Sequence, residues 1–178
     1  MDLDTFTWIL ARVTGLSSFV ALSISMLSGL ALRTAVLDWL AGNRALRATH
    51  EFTAVLWVPL GLLHLLSLLL DQTARVRALD LLVPFQAPYG TLAIGLGTVS
   101  LELFAVVAVT AWLRRQLHAR LWRWLHRLAY LAFALLFLHA LLAGTDFSDP
   151  LVSALTWAIA ALLATLSVAR LAWGRLPA

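Results

Sequence analysis

The chain has 178 residues, of which 62% are hydrophobic and only 12% charged, and its formal net charge is +4. An average soluble domain carries about 25% charged residues, so this composition excludes an ordinary soluble protein and indicates an integral membrane protein. Cysteine is absent, which excludes disulfides, thiolate metal ligands and thiol redox chemistry, so that redox work would need a bound cofactor.

Five apolar runs are separated by short clusters of arginine and aspartate. They cover residues 6–32, 50–70, 90–112, 122–143 and 151–173. About 20 apolar residues in a helix cross the hydrocarbon core of a bilayer, which is about 30 Å thick. We therefore predict an all-α fold, a polytopic bundle of five transmembrane helices in a lipid bilayer.

All thirteen basic residues are arginine, and their distribution predicts the orientation. Nine of them cluster after the first and third helices and in the tail: Arg33, Arg44, Arg47, Arg114, Arg115, Arg120, Arg123, Arg170 and Arg175. The other loops are balanced or acidic, and Asp146 and Asp149 have no basic neighbour in sequence. The positive-inside rule places the amino terminus outside and the carboxyl terminus in the cytoplasm. The net charge needs no nucleic acid, because such arginines meet anionic lipid or cofactor carboxylates.

Four of the five histidines form two pairs inside apolar helices. His50 and His64 are fourteen residues apart in the second helix, and His126 and His139 are thirteen apart in the fourth. Helices that cross in alternation make these two parallel, so we expect His50 and His126 toward the cytoplasm and His64 and His139 toward the outside. A lone membrane histidine is often only a polar residue satisfied by a neighbouring helix. Four in register favour the axial ligands of two stacked haems.

The angular positions of the histidines are less regular. At about 100° per residue, fourteen residues return to within about 40° of the starting face, whereas thirteen leave an offset of about 140°. We therefore expect the fourth helix to tilt, curve or contain a π-bulge if both of its histidines face the second helix. Pro59, between His50 and His64, predicts a kink.

Three segments resemble the ferric reductase-like transmembrane domain, the haem-bearing core shared by bacterial ferric reductase-like proteins, a haem subunit of a methionine sulfoxide reductase system and NADPH oxidases. They are LRATHEFTAVLWVPLGLLHLL, APYGTLAIGLGTVSLEL and RLWRWLHRLAYLAFALLFLHALLAGTD. The most specific motif is R-x-L-H-R-L-A-Y at Arg123–Tyr130. The resemblance implies a single such domain over residues 1–178 with two b haems, the inner one held by His50 and His126 and the outer one by His64 and His139.

The resemblance also implies transmembrane electron transfer in a bacterial cytoplasmic membrane. Electrons would pass from a cytoplasmic or membrane donor to ferric iron, oxygen or a protein partner at the outer face. The chain contains no glycine-rich dinucleotide fingerprint, so we expect a separate donor, either a flavoprotein, a quinol or another subunit. This would make it a haem-dependent oxidoreductase component. The alternative is a haem subunit that serves as an internal wire in a larger respiratory or photosynthetic complex, and a haem-free protein would leave the histidine register unexplained.

Four arginines are candidates for contact with the haems. In NADPH oxidases an arginine placed like Arg12 lies beside the outer haem, so Arg12 either takes part in catalysis there, binds a propionate or extends to the outer interface. Arg47, Arg123 and Arg127 are candidates for inner propionates, because guanidinium pairs bidentately with carboxylates. Each of these three is equally explained as a positive-inside anchor.

The remaining polar residues have competing explanations. Glu102, in the middle of the third helix, either forms a hydrogen bond with Ser100 or a neighbouring helix, or carries a proton coupled to electron transfer. Glu51 is a candidate acceptor for a hydrogen bond from a ligand imidazole. His118 lies in the arginine-rich loop and is not expected to be a ligand. The tryptophans near helix ends predict an interfacial belt: Trp8, Trp39, Trp112, Trp122, Trp124 and Trp173.

Overall fold

The structure of the chain is a computed structural model that describes residues 2–34, 42–72 and 76–173, without the side chains of Arg33, Thr34 and Trp173. Predictions for Trp39 and Arg175, and for the side chains of Arg33 and Trp173, lie outside the described residues. Within the described ranges the regular elements are all helical, and strands are absent.

Five long helices make up most of the described chain: α1 (Leu3–Thr34), α2 (Asn43–Leu70), α3 (Thr91–Trp112), α4 (Ala119–Ala143) and α5 (Pro150–Trp173). Each contains a stretch that is long and apolar enough to cross a membrane. The prediction of an all-helical protein with five membrane spans is thus confirmed, and the orientation of the termini stays a prediction.

Several helices begin earlier than hydropathy indicates, and two of these early starts, in α2 and α4, concern the histidines. α2 begins at Asn43 and α4 at Ala119, each seven residues before its first paired histidine. The added turns are rich in arginine and alanine, which both favour helix, and the arginines lower the mean hydropathy of a window. His50 therefore does not open α2 but lies about two turns inside it, as His126 does in α4.

The starts of α5 and α4 are explained by side chains that cap the first turn. The Asp149 carboxylate accepts hydrogen bonds from two backbone N–H groups in the first turn of α5, at 2.9 and 3.1 Å, and Pro150 occupies the first helical position. His118 caps α4, because its Nδ1 accepts from the backbone N–H of Arg120 at 3.3 Å. The exposed His118 thus has a structural role.

The described chain divides into two compact units. The first comprises Trp8–Ser67 and Asp146–Ala178, and the second comprises Met1–Thr7 and Leu68–Thr145. The first unit therefore holds α5 and most of α1 and α2. The second holds α3, α4 and the segment that precedes α3.

A stripe of small buried residues runs along α1 in the first unit. Its members alternate in steps of three and four: Ala11, Thr14, Ser18, Ala21, Ser25 and Ser28. This period of 3.5 keeps one narrow face of a helix toward a neighbour, and small side chains permit close backbone approach in a membrane. The hydroxyls of Thr14 and Ser28 donate to carbonyls one turn earlier, at 2.6 and 2.7 Å, so these polar groups are satisfied within the helix.

In the second unit α3 packs closely against α4. The Ser100 hydroxyl donates to the Ala132 carbonyl at 2.8 Å. Both residues are almost completely buried, with 1% and 0% exposure. Because an unsatisfied carbonyl or hydroxyl is costly in an apolar layer, this hydrogen bond supports the close contact of the two helices.

The segment before α3 is held by a buried carboxylate. Asp80 accepts hydrogen bonds from the backbone N, Nε and Nη2 of Arg77 at 2.9, 3.1 and 2.8 Å, and the Asp80 carbonyl accepts from Thr98 of α3 at 2.8 Å. The bonds from Arg77 lower the pKa of Asp80. Gly95 is required beside this segment, because a Cβ there would overlap the ring of Phe85.

Candidate functional site

Three of the four paired histidines have the same surroundings. In each case Nδ1 lies 2.8 Å from a backbone carbonyl of another helix: Ser25 for His50, Ala11 for His64 and Ala93 for His139. A carbonyl only accepts hydrogen bonds, so Nδ1 carries the proton and donates it. The lone pair of each imidazole is therefore on Nε2, the nitrogen that a metal ion would bind.

A glycine lies one turn after each of these accepting carbonyls. A Cβ on Gly15 would lie 2.9 Å from Nδ1 of His64, one on Gly29 would lie 3.1 Å from Nδ1 of His50, and one on Gly97 would lie 2.6 Å from Nδ1 of His139. Glycine in a helix costs about 1 kcal/mol relative to alanine. Its presence at all three positions is explained by the imidazole rings, which lie directly on the helix backbone.

The α1 sites repeat at the spacing of the α2 histidines. Ala11 and Ser25 are fourteen residues apart, as are Gly15 and Gly29, and so are His50 and His64. Fourteen residues are two heptads of the α1 stripe, so the same local packing recurs about 21 Å further along the helix. The sequence interpretation missed these carbonyls and glycines, although the shared spacing was a signal for them.

The surroundings of His126 are different. Its imidazole stacks on the indole of Trp122, one turn earlier in α4, with ring centroids 5.3 Å apart and planes at 20°. Trp122 was predicted only as part of an interfacial belt, and the structure also places it against a candidate ligand. α4 is an unbroken α-helix from Ala119 to Ala143, so it has no π-bulge to relieve the thirteen-residue offset between its histidines.

α2 likewise continues through Pro59 as one helix from Asn43 to Leu70. All four paired histidines are half-buried. Among the described residues, no three histidine, aspartate or glutamate side chains come together as a metal site. The histidines are therefore candidates for single axial ligands, of which a haem iron takes one or two.

Arg12 forms an ion pair that the sequence did not predict. Its Nε donates to Oδ2 of Asp146 at 3.0 Å and its Nη2 donates to Oδ1 of the same carboxylate. Its guanidinium also lies 4.2 Å from the centre of the Trp8 ring. Asp146 has no basic neighbour in sequence, and its partner Arg12 lies 134 positions away along the chain but adjacent in space. The hydrogen bond from Arg12 holds the pKa of Asp146 below its ordinary value.

The three arginines predicted near the inner site are all exposed. Arg127 lies over the ring of Trp124, 4.9 Å from its centre. Arg47 and Arg123 lie one turn before His50 and His126 respectively. Within the described part of the chain, none of the three forms an ion pair with a carboxylate.

Neither glutamate forms the hydrogen bond that was considered for it from the sequence. Glu51 is exposed, and the carbonyl of Ser25 accepts from Nδ1 of His50 instead. Glu102 is exposed in the middle of α3, and Ser100 donates to α4 rather than to Glu102. Among the described residues, nothing forms a hydrogen bond or an ion pair with Glu102.

Residues 14–137 match the model of a family described as ferric reductase like transmembrane component. The match includes His50, His64 and His126, and it ends two residues before His139. No curated protein and no solved structure matches the chain. Since the matched residues make up more than half of its length, the chain belongs to the family of ferric reductase-like transmembrane components.

Proposed function

We propose that the chain holds two b haems and transfers electrons across the bilayer as a single domain over residues 1–178. The observation that carries this proposal is the common setting of His50, His64 and His139. Each donates Nδ1–H to a backbone carbonyl and presents Nε2 as the basic nitrogen. Almost all metal-ligating histidines have this arrangement, in which the outer hydrogen bond fixes the tautomer and ring orientation.

The residues fit the proposed cofactor. A haem iron with two imidazole ligands supplies a one-electron couple. The protein's part is to hold the imidazoles, which it does with carbonyls that fix the tautomer and glycines that admit the rings. Membership of the ferric reductase-like family supports the same cofactor.

The proposed pairing is His50 with His126 for the inner haem and His64 with His139 for the outer haem. It is supported by sequence position, since His50 and His126 each lie seven residues after the start of their helices. Helices that cross the membrane in alternation give α2 and α4 the same direction. The second histidine of each pair then lies toward the outer face.

Four arginines are proposed to interact with the haems. Arg47, Arg123 and Arg127 would bind inner propionates, for which their lack of a carboxylate partner among the described residues is the support. Arg12 is proposed to act at the outer haem edge, because it directly follows Ala11, the acceptor for His64. Its pairing with Asp146 would hold that part of α1 in place.

We propose that electrons arrive from a separate flavoprotein, quinol or protein subunit on the cytoplasmic side or in the membrane of a bacterial cell. Ferric iron, oxygen or a protein partner would accept them at the outer face. The proposed direction is outward.

The second candidate function, an internal wire in a larger membrane complex, is favoured by Glu102. An ionisable side chain at mid-membrane depth usually faces a protein partner rather than lipid. Glu102 is exposed in the middle of α3 and has no partner among the described residues. A neighbouring subunit that donates a hydrogen bond would account for it.

A reduced-minus-oxidised spectrum of the purified chain, with its haem-to-protein ratio, tests the proposal. We expect a b-type α-band and two haems per chain, and a protein without that band would contradict it. Mixing the chemically reduced protein with oxygen or a ferric chelate separates the two functions. Fast reoxidation by either supports direct reduction of a substrate, and slow reoxidation by both supports the internal wire.

A further inference from the structure

The two histidine sites on α1 differ in the presence of a hydroxyl group beside the imidazole. The carbonyl of Ser25 accepts from His50, and the carbonyl of Ala11 accepts from His64, both at 2.8 Å. At His50, however, the Ser25 Oγ also lies 3.2 Å from Nδ1. Ala11, fourteen residues earlier, has no such atom to offer.

From this difference we infer that Ser25 is a positioning residue whose hydroxyl lowers the reduction potential of the haem held by His50 relative to that held by His64. The inference rests on the proposed function, since it assumes that both histidines bind haem iron. It adds a residue that tunes one haem and not the other.

The hydrogen-bond roles follow from the carbonyl. Because Nδ1 of His50 donates to the Ser25 carbonyl, it has no lone pair to accept with, and Oγ at 3.2 Å can only be a second acceptor for the same N–H. Two oxygens that share one proton draw it further from the ring than one oxygen does. Ser25 is 6% exposed, so water does not replace this contact.

A more strongly held Nδ1–H makes Nε2 a better electron donor. Outer hydrogen bonds of this kind raise the basicity of a ligand, and they are one of the means by which a protein sets a haem potential. A more basic ligand stabilises the oxidised iron, which carries the additional positive charge, and so lowers the reduction potential. The predicted orientation places His50 toward the cytoplasm, so outward transfer toward His64 becomes more favourable.

Two reciprocal substitutions test this inference by spectroelectrochemical titration of the full chain with its haems bound. Ser25→Ala should raise one of the two midpoint potentials and leave the other unchanged. Ala11→Ser, which places a hydroxyl at the equivalent position beside His64, should lower the other midpoint. The double variant should shift both midpoints, the first upward and the second downward.

A His64→Ala background assigns the midpoints, because we expect it to retain only the haem held by His50. Ser25→Ala should still raise the midpoint of that remaining haem, and Ser25→Thr, which keeps the hydroxyl, should not. If Ser25→Ala loses haem, the shift caused by Ala11→Ser decides the matter. Unchanged midpoints in variants that keep both haems would overturn the inference, as would equal shifts of both midpoints. A wild-type chain without b haem would instead contradict the proposed function.

Discussion

Gly97 of α3 lies so close to the imidazole of His139 that a Cβ built on this glycine would stand 2.6 Å from Nδ1 and 2.8 Å from Cε1. The same ring donates to the carbonyl of Ala93 at 2.8 Å. The ring thus contacts a carbonyl and a glycine on one turn of α3, so an added methyl group would push the ring away from the carbonyl that accepts its hydrogen bond.

Gly97→Ala should therefore displace His139 and remove one of the two proposed haems, although alanine favours helix by about 1 kcal/mol over glycine. The haem-to-protein ratio of the purified variant measures the effect, with an expected fall from two to one. Gly61→Ala is the matched control in a helix, because its Cβ would first meet another atom at an ordinary 3.4 Å, in Trp57. Full retention of both haems in Gly97→Ala would contradict the role of this glycine.

The two α1 glycines should respond with graded severity. A Cβ on Gly15 would lie 2.9 Å from Nδ1 of His64, whereas one on Gly29 would lie 3.1 Å from Nδ1 of His50. Gly15→Ala should thus weaken its haem more than Gly29→Ala, and each should affect a different haem. The rate of haem dissociation from each variant can be measured as transfer of haem to an excess of an apo-globin acceptor. The variant with the faster rate is the more strongly weakened one. If Gly29→Ala weakens its haem more than Gly15→Ala, the prediction is wrong, and the distance from the added Cβ to the imidazole does not set the severity.

Much of this site could be predicted from the sequence, because its histidines and the helices that carry them can each be recognised from a short stretch of sequence. Histidine, arginine and apolar runs are visible residue by residue, and hydropathy located all five helices. The carbonyls of Ala11 and Ser25 were not visible, since every residue has a carbonyl and only packing decides which one meets an imidazole. Arg12 and Asp146 were likewise too far apart in sequence to be paired. The early starts of α2 and α4 were missed because their first turns are helical but polar.

His64→Ala and His126→Ala should each remove a different haem. The reason is the proposed pairing, in which His64 and His139 hold one haem and His50 and His126 hold the other. Spectroelectrochemical titration should then find one component in each variant, at two different midpoints. His118→Ala is the control, since His118 caps α4 from an exposed position and should leave both haems bound. The same midpoint remaining in both histidine variants would contradict the pairing.

The Arg12–Asp146 pair should stabilise the folded protein at neutral pH and lose this contribution as the pH falls. The hydrogen bond from Arg12 lowers the pKa of Asp146 in the folded protein. A lowered carboxyl pKa contributes stability that is fully present above the ordinary pKa of an aspartate and is lost as the pH falls through the lower, folded value. Asp146→Asn should therefore destabilise the protein at neutral pH and make no difference in strong acid.

The size of this effect should be modest. The two side chains are 35% and 19% exposed, and partly exposed ion pairs contribute up to about 1 kcal/mol. Thermal unfolding of the wild type and Asp146→Asn between neutral and acidic pH measures it. Arg12→Lys keeps the charge but loses the bidentate donor geometry, so the stability of this variant at neutral pH should lie between those of the wild type and Asp146→Asn. A difference that grows toward acidic pH would contradict this assignment.

Glu102 should make the free energy of membrane insertion of α3 less favourable when the chain is alone in lipid. A charged residue at the centre of a helix costs about 2.5 to 3.5 kcal/mol on insertion, whereas leucine is slightly favourable, so Glu102→Leu should improve the insertion of α3 by roughly 3 kcal/mol. A glycosylation-based insertion assay measures this directly. Ala105→Leu, also exposed and one turn further along α3, is the control and should change insertion by only a few tenths of a kcal/mol. If Glu102→Leu inserts no better than the wild type, Glu102 is already shielded from lipid in the chain alone, and the argument for a neighbouring subunit at this position fails.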